Sequence, residues 1–214
     1  MLSTRIIAIR HGETAWNVET RLQGHLDISL NTRGQWQAAQ VAQTLADEDI
    51  DVIYASDLLR AWQTAKAVAK STAAPLHAHQ GLRERGFGSF QGKTYAEIEQ
   101  QYPQESSRWR SRDPHWQPPG GESLTAMRTR ILNTVDSLAQ PHAGGQIVLV
   151  AHGGVMDILY RLATGQELQA PRSWHLGNAA INRLLWTPDG LTLVGWGDVR
   201  HLEQEEATLD ESST

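Results

Sequence analysis

The order of elements predicted from this 214-residue chain places it in the α/β class, as a three-layer α/β/α sandwich with a mostly parallel central sheet, an edge hairpin and a small inserted cap region. Three observations lead there. Short apolar runs of strand length, such as RIIAIR, VIYA and IVLVA, alternate with longer segments of helical period. Two of those runs end directly in a histidine followed by glycine, at His11-Gly12 and His152-Gly153. Near the end, Thr187-Pro188-Asp189-Gly190 separates two further apolar runs and suits a tight turn.

Taken in order, residues 5–10 read as a buried strand, and Gly12 permits a sharp turn at its carboxyl end. From Thr32, the sequence TRGQWQAAQVAQTLA sets Trp36, Ala39, Val41 and Leu45 on one helical face, with Asn31 or Thr32 as cap. A strand over 52–55 follows, and Ser56 or Asp57 is expected to cap a second helix reaching Lys70. A short strand at 76–79, a strand at 147–151 and a helix over 155–163 continue the alternation, which implies a mostly parallel sheet covered on both faces. Between Leu82 and Gly121 the pattern loosens into glycines, prolines and the basic run Arg108-Trp109-Arg110-Ser111-Arg112. That stretch reads as a cap over one end of the sheet, before a long helix over 122–138. The runs around Thr187 to Gly190 predict the edge hairpin.

Length argues for one domain over residues 1–202, with the cap at about 83–121, followed by an acidic tail at 203–214 that is expected to fray. Hydrophobic residues at 40% and charged residues at 20% are an ordinary globular balance, and no apolar run is long enough to cross a bilayer. The apolar stretch at 6–9 is flanked by Arg5 and Arg10 and lacks the core of a signal peptide. The absence of cysteine excludes disulfides and thiolate metal sites, and cytoplasm is the default location. A net charge of −5 argues against nucleic acid as partner, so any anion site must be built locally. Among eight tryptophans, Trp109, Trp116 and Trp174 lie where an aromatic wall or ordinary packing would both fit.

The chemistry begins at the strand ends. At Arg10-His11-Gly12, backbone N–H groups and a guanidinium converge on an anion that the imidazole can attack. Ala151-His152-Gly153-Gly154 repeats the arrangement downstream, and neighbouring parallel strands would bring both histidines to one crevice. Arg60 follows a third strand and falls in the first turn of a helix, within reach of the same crevice. His77 and His79 share a strand face without a partner carboxylate or an HExxH pattern, so no metal site is expected. No phosphate-binding GxxxxGK[ST] loop or dinucleotide GxGxxG occurs, and no cofactor is called for. His25, His115, His142, His175 and His201 read as ordinary polar residues, with His175 and Asn178 as candidates for the rim.

With these pieces in place, the chain resembles the histidine phosphatase superfamily in its phosphoglycerate mutase-like branch. The resemblance is carried by RHGETAWN at Arg10 to Asn17, SDLLRAWQTA at Ser56 to Ala65, LRERGFGSFQG at Leu82 to Gly92, GGESL at Gly120 to Leu124 and VAHGG at Val150 to Gly154. It implies that His11 is the nucleophile, forming a phosphohistidine, and that Arg10, Arg60 and His152 hold the phosphoryl oxygens. Asn17 matches a position that donates to the phosphoryl group. Gln23 and Gly24 follow on the same loop, and Gly153 lies beside His152. Glu84 corresponds to the proton donor, with Glu13 and Glu122 as alternative carboxylates. Glu13 reads as orienting His11 or capping local N–H groups, and Glu122 as opening the long helix.

The resemblance leaves three readings. A phosphatase admits water to the intermediate, whereas a phosphoglycerate mutase keeps it dry. Only 35 residues separate Glu84 from GGESL, shorter than in the cofactor-dependent mutases, and the paired arginines of those enzymes are not reproduced. That favours phosphomonoester hydrolysis, with a small phosphate ester as partner, no membrane, and room for a homodimer. Arg108, Arg110 and Arg112 offer either a second anion contact or a solvated helix face. A catalytically inactive phosphate-binding protein is the reading from another class, and the intact set of Arg10, His11, Arg60, Glu84 and His152 speaks against it.

Overall fold

The computed structural model describes residues 2–203, so the predicted tail, apart from Glu203, lies outside the described residues. Six strands form one sheet: β1 (Thr4–Arg10), β2 (Val52–Ala55), β3 (Leu76–Ala78), β4 (Gln146–Ala151), β5 (Ile181–Thr187) and β6 (Gly190–Asp198). They lie side by side in the order β3-β2-β4-β1-β5-β6. The first four of that order run parallel, and β5 and β6 add the antiparallel edge hairpin. Helices α1 (Ala15–Val18), α2 (Thr32–Thr44), α3 (Leu59–Thr72), α4 (Tyr95–Gln101), α5 (Pro103–Arg110), α6 (Leu124–Ala139) and α7 (Gly153–Thr164) complete the elements used below.

Strand alternation divides the core into two layers. Ile6, Ala8, Ile147 and Leu149 point to the side covered by α6 and α7, where Ile131, Val135, Val155 and Leu159 are buried against them. Ile7, Ile9, Val148 and Val150 point to the other side, against Val41 of α2 and Ala61, Ala65 and Val68 of α3. Because β4 is covered on both faces, all six of its residues are buried, which explains its uninterrupted apolar run.

Several local expectations are corrected. The buried face of α2 is Gly34, Gln37, Ala38, Val41 and Ala42, and Ala39 points to solvent. The rotation follows from Gly34 and Gln37, which pack against the turn after β1 and so turn the helix towards it. Asn31 caps α2, as expected, accepting from the Gly34 N–H at 2.8 Å. Neither Ser56 nor Asp57 caps α3 at its N-cap, Leu58; the Leu59 N–H donates instead to Asp27 Oδ1 at 2.6 Å, and Asp57 is engaged in a bidentate pair with Arg83. The long helix starts at Leu124 with Ser123 as cap, leaving Glu122 outside it to clasp Arg130. The cap region, read from sequence as irregular, holds α4 and α5 around a cluster of Leu22, Phe90, Ile98 and Trp116.

Register places the site. Arg10 pairs with Ala151, Ala55 with Val150 and Ala55 with Ala78, so β1, β4, β2 and β3 end nearly level. The turn after β1 then passes directly over α2. A Cβ on Gly12 would lie 3.0 Å from the Gly34 Cα, and one on Gly34 would lie 2.7 Å from the Glu13 backbone nitrogen. Gly34→Ala is therefore expected to lower stability by about 1–3 kcal/mol through overpacking that side-chain rotation cannot relieve. Urea denaturation checks this, with Gly195→Ala, where an added Cβ meets nothing within 4 Å, as the comparison.

Candidate active site

Three adjacent strand ends deliver the reactive groups. His11 follows β1 and His152 follows β4, and their rings sit edge to face with centroids 5.2 Å apart. Both are buried, His11 at 2% exposure and His152 at 0%. His11 Nδ1 lies 2.7 Å from the Gly12 carbonyl oxygen, which can only accept, so Nδ1 carries the proton and Nε2 the lone pair. The Gly12 N–H donates to Thr64 Oγ1 at 3.1 Å, and Asn178 Nδ2 donates to the His11 carbonyl at 2.9 Å, fixing the turn from both sides. His152 Nε2 lies 2.8 Å from Ser56 Oγ, at the end of β2, and its Nδ1 is buried without a partner.

Two guanidiniums are held beside these rings by backbone carbonyls. Arg60, in the first turn of α3, is 1% exposed and donates to the Leu26 carbonyl at 2.9 Å and the Gly24 carbonyl at 2.8 Å. Arg10 donates from Nη1 to the Leu176 carbonyl. In both, Nε is buried and unpartnered, a donor left for an anion. Burial lowers the Arg60 pKa to about 10, with Arg10 adding to the shift and Glu84 and Asp27 opposing it. Burial likewise holds both imidazoles well below the usual histidine range, and the positive fields of Arg60 and Arg10 push the same way. His11 is thereby kept neutral.

Glu84 arrives from the far side, after β3 and a short 3-10 turn. Its carboxylate accepts from the Arg85 N–H at 2.7 Å and from the Gly154 N–H, at the start of α7, at 3.0 Å. A side chain at position 154 would overlap this carboxylate, which accounts for the second glycine of the VAHGG motif. The Glu84 carbonyl accepts from His25 Nε2 at 2.8 Å. His25 was expected to be an ordinary polar residue, and its sequence context carries no signal of this contact.

Arg10, His11, Asn17, Gln23, Gly24, Arg60, Glu84 and Gly153 all line one cavity of about 370 Å³, and His152 stands behind it against His11. Gln23 is buried with Oε1 unpartnered, not solvated as loop amides usually are. Asn17 spends its carbonyl oxygen on the Thr14 N–H at 3.0 Å, which leaves its amide hydrogens for a ligand. The Glu13 carboxylate accepts from Asn31 Nδ2 at 2.8 Å, and among the described residues it takes no hydrogen bond from His11 or from a backbone N–H. Of the basic run, Arg108 pairs with Asp113 and Arg110 with Glu99 on the outer face. Arg112 alone of the three turns into the cavity, because its left-handed backbone, φ 51°, reverses the chain at the end of α5. Trp109 stacks on Phe90 at 5.2 Å and forms cavity wall; Trp116 packs within the cap and Trp174 against Tyr160. His175 gives its carbonyl to Trp196. Sequence reading missed Arg21, Arg85, Tyr95, Asp157 and Arg172 in the wall; Arg85 stands beside Glu84 in the LRERGFGSFQG motif, and the others come from separate segments.

Fold and site together describe an α/β protein whose buried imidazole lies among guanidiniums at the carboxyl ends of parallel strands, an arrangement suited to phosphate esters. The chain belongs to the histidine phosphatase superfamily, branch 1, whose pattern it matches over residues 6–199. It is 35% identical to a metal-independent phosphoserine phosphatase of Arabidopsis thaliana, over 93% of this chain and 83% of that one. It is 37% identical to a glucosyl-3-phosphoglycerate phosphatase of Mycobacterium tuberculosis, over 88% of this chain and 89% of that one. The solved structure of a phosphoserine phosphatase variant from Entamoeba histolytica, in complex with phosphoserine, superposes with a TM-score of 0.83 at 28% identity, covering 93% of this chain and 99% of the other. The chain is accordingly an enzyme of the phosphatase family. Among the described residues, no helix is long and apolar enough to cross a membrane.

The lowered imidazole pKa values make stability depend on pH. The unfolded chain protonates His11 and His152 near the ordinary value of 6.5, while the folded chain does so only at lower pH. Protons then bind the unfolded state preferentially, and stability falls as pH drops through about 6.5 towards the folded values. Urea midpoints at pH 7.5 and 5.5 should show this fall, and His11→Asn should show a smaller one.

Proposed function

We propose that the enzyme hydrolyses small phosphomonoesters through a covalent phosphohistidine on His11, with Glu84 as proton donor and acceptor. The observation that supports this best is the bond from His11 Nδ1–H to the Gly12 carbonyl. It leaves the Nε2 lone pair available, on a ring kept neutral by burial and, secondarily, by the fields of Arg60 and Arg10.

In the first step Nε2 attacks phosphorus, the ester P–O bond breaks with its electron pair going to the leaving oxygen, and Glu84 delivers a proton to that oxygen. In the second step Glu84 takes a proton from water, the water oxygen attacks phosphorus, and the P–N bond breaks with its electrons returning to the imidazole. Arg10 and Arg60 offset the charge of the phosphoryl oxygens from their free Nε donors, and Asn17 and Gln23 add contacts at the same end. We assign the Ser56 hydroxyl as the donor to Nε2 of His152, which puts the ring proton on Nδ1, the nitrogen without a partner, for use as a donor to the phosphoryl group. Since the chain's own cations supply the charge stabilisation, the reaction needs no metal. The substrate is a phosphate ester, as it is for the two named relatives.

His11→Ala should abolish turnover of p-nitrophenyl phosphate, and acid-stable or base-stable labelling of the wild type after a quench would distinguish the intermediate. Phosphohistidine survives base and is lost in acid; an acid-stable label, or full turnover by the variant, would rule the mechanism out. Glu84→Gln should lower kcat by about 10²–10⁴ on alkyl phosphates and much less on p-nitrophenyl phosphate, whose leaving group departs without a proton. Ser56→Ala should lower kcat by about tenfold with little change in KM, the signature of a donor used in the transition state. With 3-phosphoglycerate and its bisphosphate primer, release of phosphate without isomerisation is expected; isomerisation without release would make the enzyme a mutase.

A further inference from the structure

Two carboxylates line the cavity, and the second, Asp157, has no part in the steps above. It lies one turn into α7 and is 6% exposed. Its two oxygens are treated very differently. Oδ2 accepts from Arg112 Nη2, reaching in from the cap, and from Arg161 Nε, one turn further along α7, both at 3.0 Å. Oδ1 is buried and has no partner.

The neighbouring cations are not free to swing across and satisfy it. Arg161 gives Nη1 to the Glu167 carbonyl and Nη2 to the Ala170 carbonyl, and its guanidinium lies 4.8 Å over the Trp174 ring. Arg112 gives Nε to the Leu168 carbonyl at 2.8 Å. The two ion pairs therefore tie the cap and the 165–171 loop to α7, and they hold the carboxylate in one orientation. An acceptor fixed in that way, in the wall of a ligand cavity, is complementary to a hydrogen-bond donor on what the cavity holds. A phosphoryl group carries only acceptors at neutral pH and is served by the arginine donors, so a donor for Asp157 belongs to the alcohol part of the ester.

We infer that Asp157 is a specificity-determining residue, whose Oδ1 accepts a hydrogen bond from an ammonium or hydroxyl group on the leaving alcohol. This rests on the phosphatase reading above and adds the class of ester selected: leaving alcohols that carry an N–H or O–H donor beside the ester carbon. Leaving groups that lack one strand the carboxylate oxygen unpaired and are turned over more slowly.

Three substrates of the same skeleton test it, each with a phosphate and a carboxylate and differing only at the middle carbon. Phosphoserine has an ammonium there, 3-phosphoglycerate a hydroxyl, and 3-(phosphonooxy)propionate only hydrogen. For the wild type, kcat/KM from phosphate release should be at least about tenfold higher for one or both donor-bearing esters than for the third, and which one leads distinguishes ammonium from hydroxyl recognition. In Asp157→Asn, the arginines require the amide oxygen, so the NH₂ group takes the Oδ1 position and presents a donor where an acceptor stood. The advantage should then fall towards unity. Asp157→Glu keeps both ion pairs and displaces the acceptor by a methylene, so it answers the same question if the asparagine variant does not fold, again with a reduced advantage. The comparison is a ratio within each protein, so a loss of active fraction cancels. A flat series in the wild type, or an unchanged ratio in the folded variants, overturns the assignment. Hydrolysis of p-nitrophenyl phosphate and its loss in His11→Ala report separately on the phosphohistidine reading.

Discussion

Burying two like charges beside two imidazoles is the constraint around which this structure is arranged. The guanidiniums of Arg10 and Arg60 lie against His11 and His152 in a region closed to water, where burial lowers the pKa of all four groups, Arg10 adds to the shift of Arg60, and both cations add to the shifts of the two rings. Glu84 is the nearby carboxylate that opposes both shifts, and backbone carbonyls do the rest: Gly24 and Leu26 for Arg60, Leu176 for Arg10. Those carbonyls come from two irregular segments, the loop after α1 and the approach to β5. The need to hold two buried cations therefore explains why long stretches without regular structure are folded tightly over the strand ends. The same burial, with the fields of both guanidiniums, keeps His11 unprotonated.

Around that centre the molecule divides its work by distance from the sheet. The strand ends and the first turns of α3 and α7 present Arg10, His11, His152, Arg60 and Gly153, where parallel register fixes them to one another. The cap and the 165–171 loop supply the opposite wall, where aromatic stacking of Phe87, Phe90 and Trp109 and the ion pairs through Asp157 set the shape. The sheet-borne groups are thus held by parallel register, and the opposite wall by side-chain stacking and ion pairs from irregular segments.

Charge follows the same division. The chain carries a net −5, yet six guanidiniums and two carboxylates line its cavity. A low-dielectric recess focuses that local excess on an anionic ester while the outer surface remains acidic. Arg108 and Arg110, which look equally suited to an anion in sequence, are spent on outward ion pairs, and Arg112 turns inward because α5 ends in a left-handed residue.

The alternation of strands and helices, the hairpin turn and the identity of Arg10, His11, Arg60, Glu84 and His152 were legible from the chain alone, since each depends on local periodicity or on a short motif. The helices of the cap were not, because α4 and α5 are brief and are stabilised by packing on Leu22, Phe90 and Trp116, which lie outside both helices. Local rules also misplaced α3's cap, which Asp27 provides from more than thirty residues away, and the face of α2, which the approach of Gly12 to Gly34 decides. Ser56, His25 and Asp157 gain their roles only through partners distant in sequence. What the sequence determined by itself was the side chains gathered at the strand ends and the elements that carry them, because backbone propensity and motif spacing are properties of neighbours along the chain. Tertiary structure alone decided which oxygen, ring nitrogen or guanidinium was left unpaired in the cavity, because hydrogen-bond satisfaction depends on every segment that folds against it.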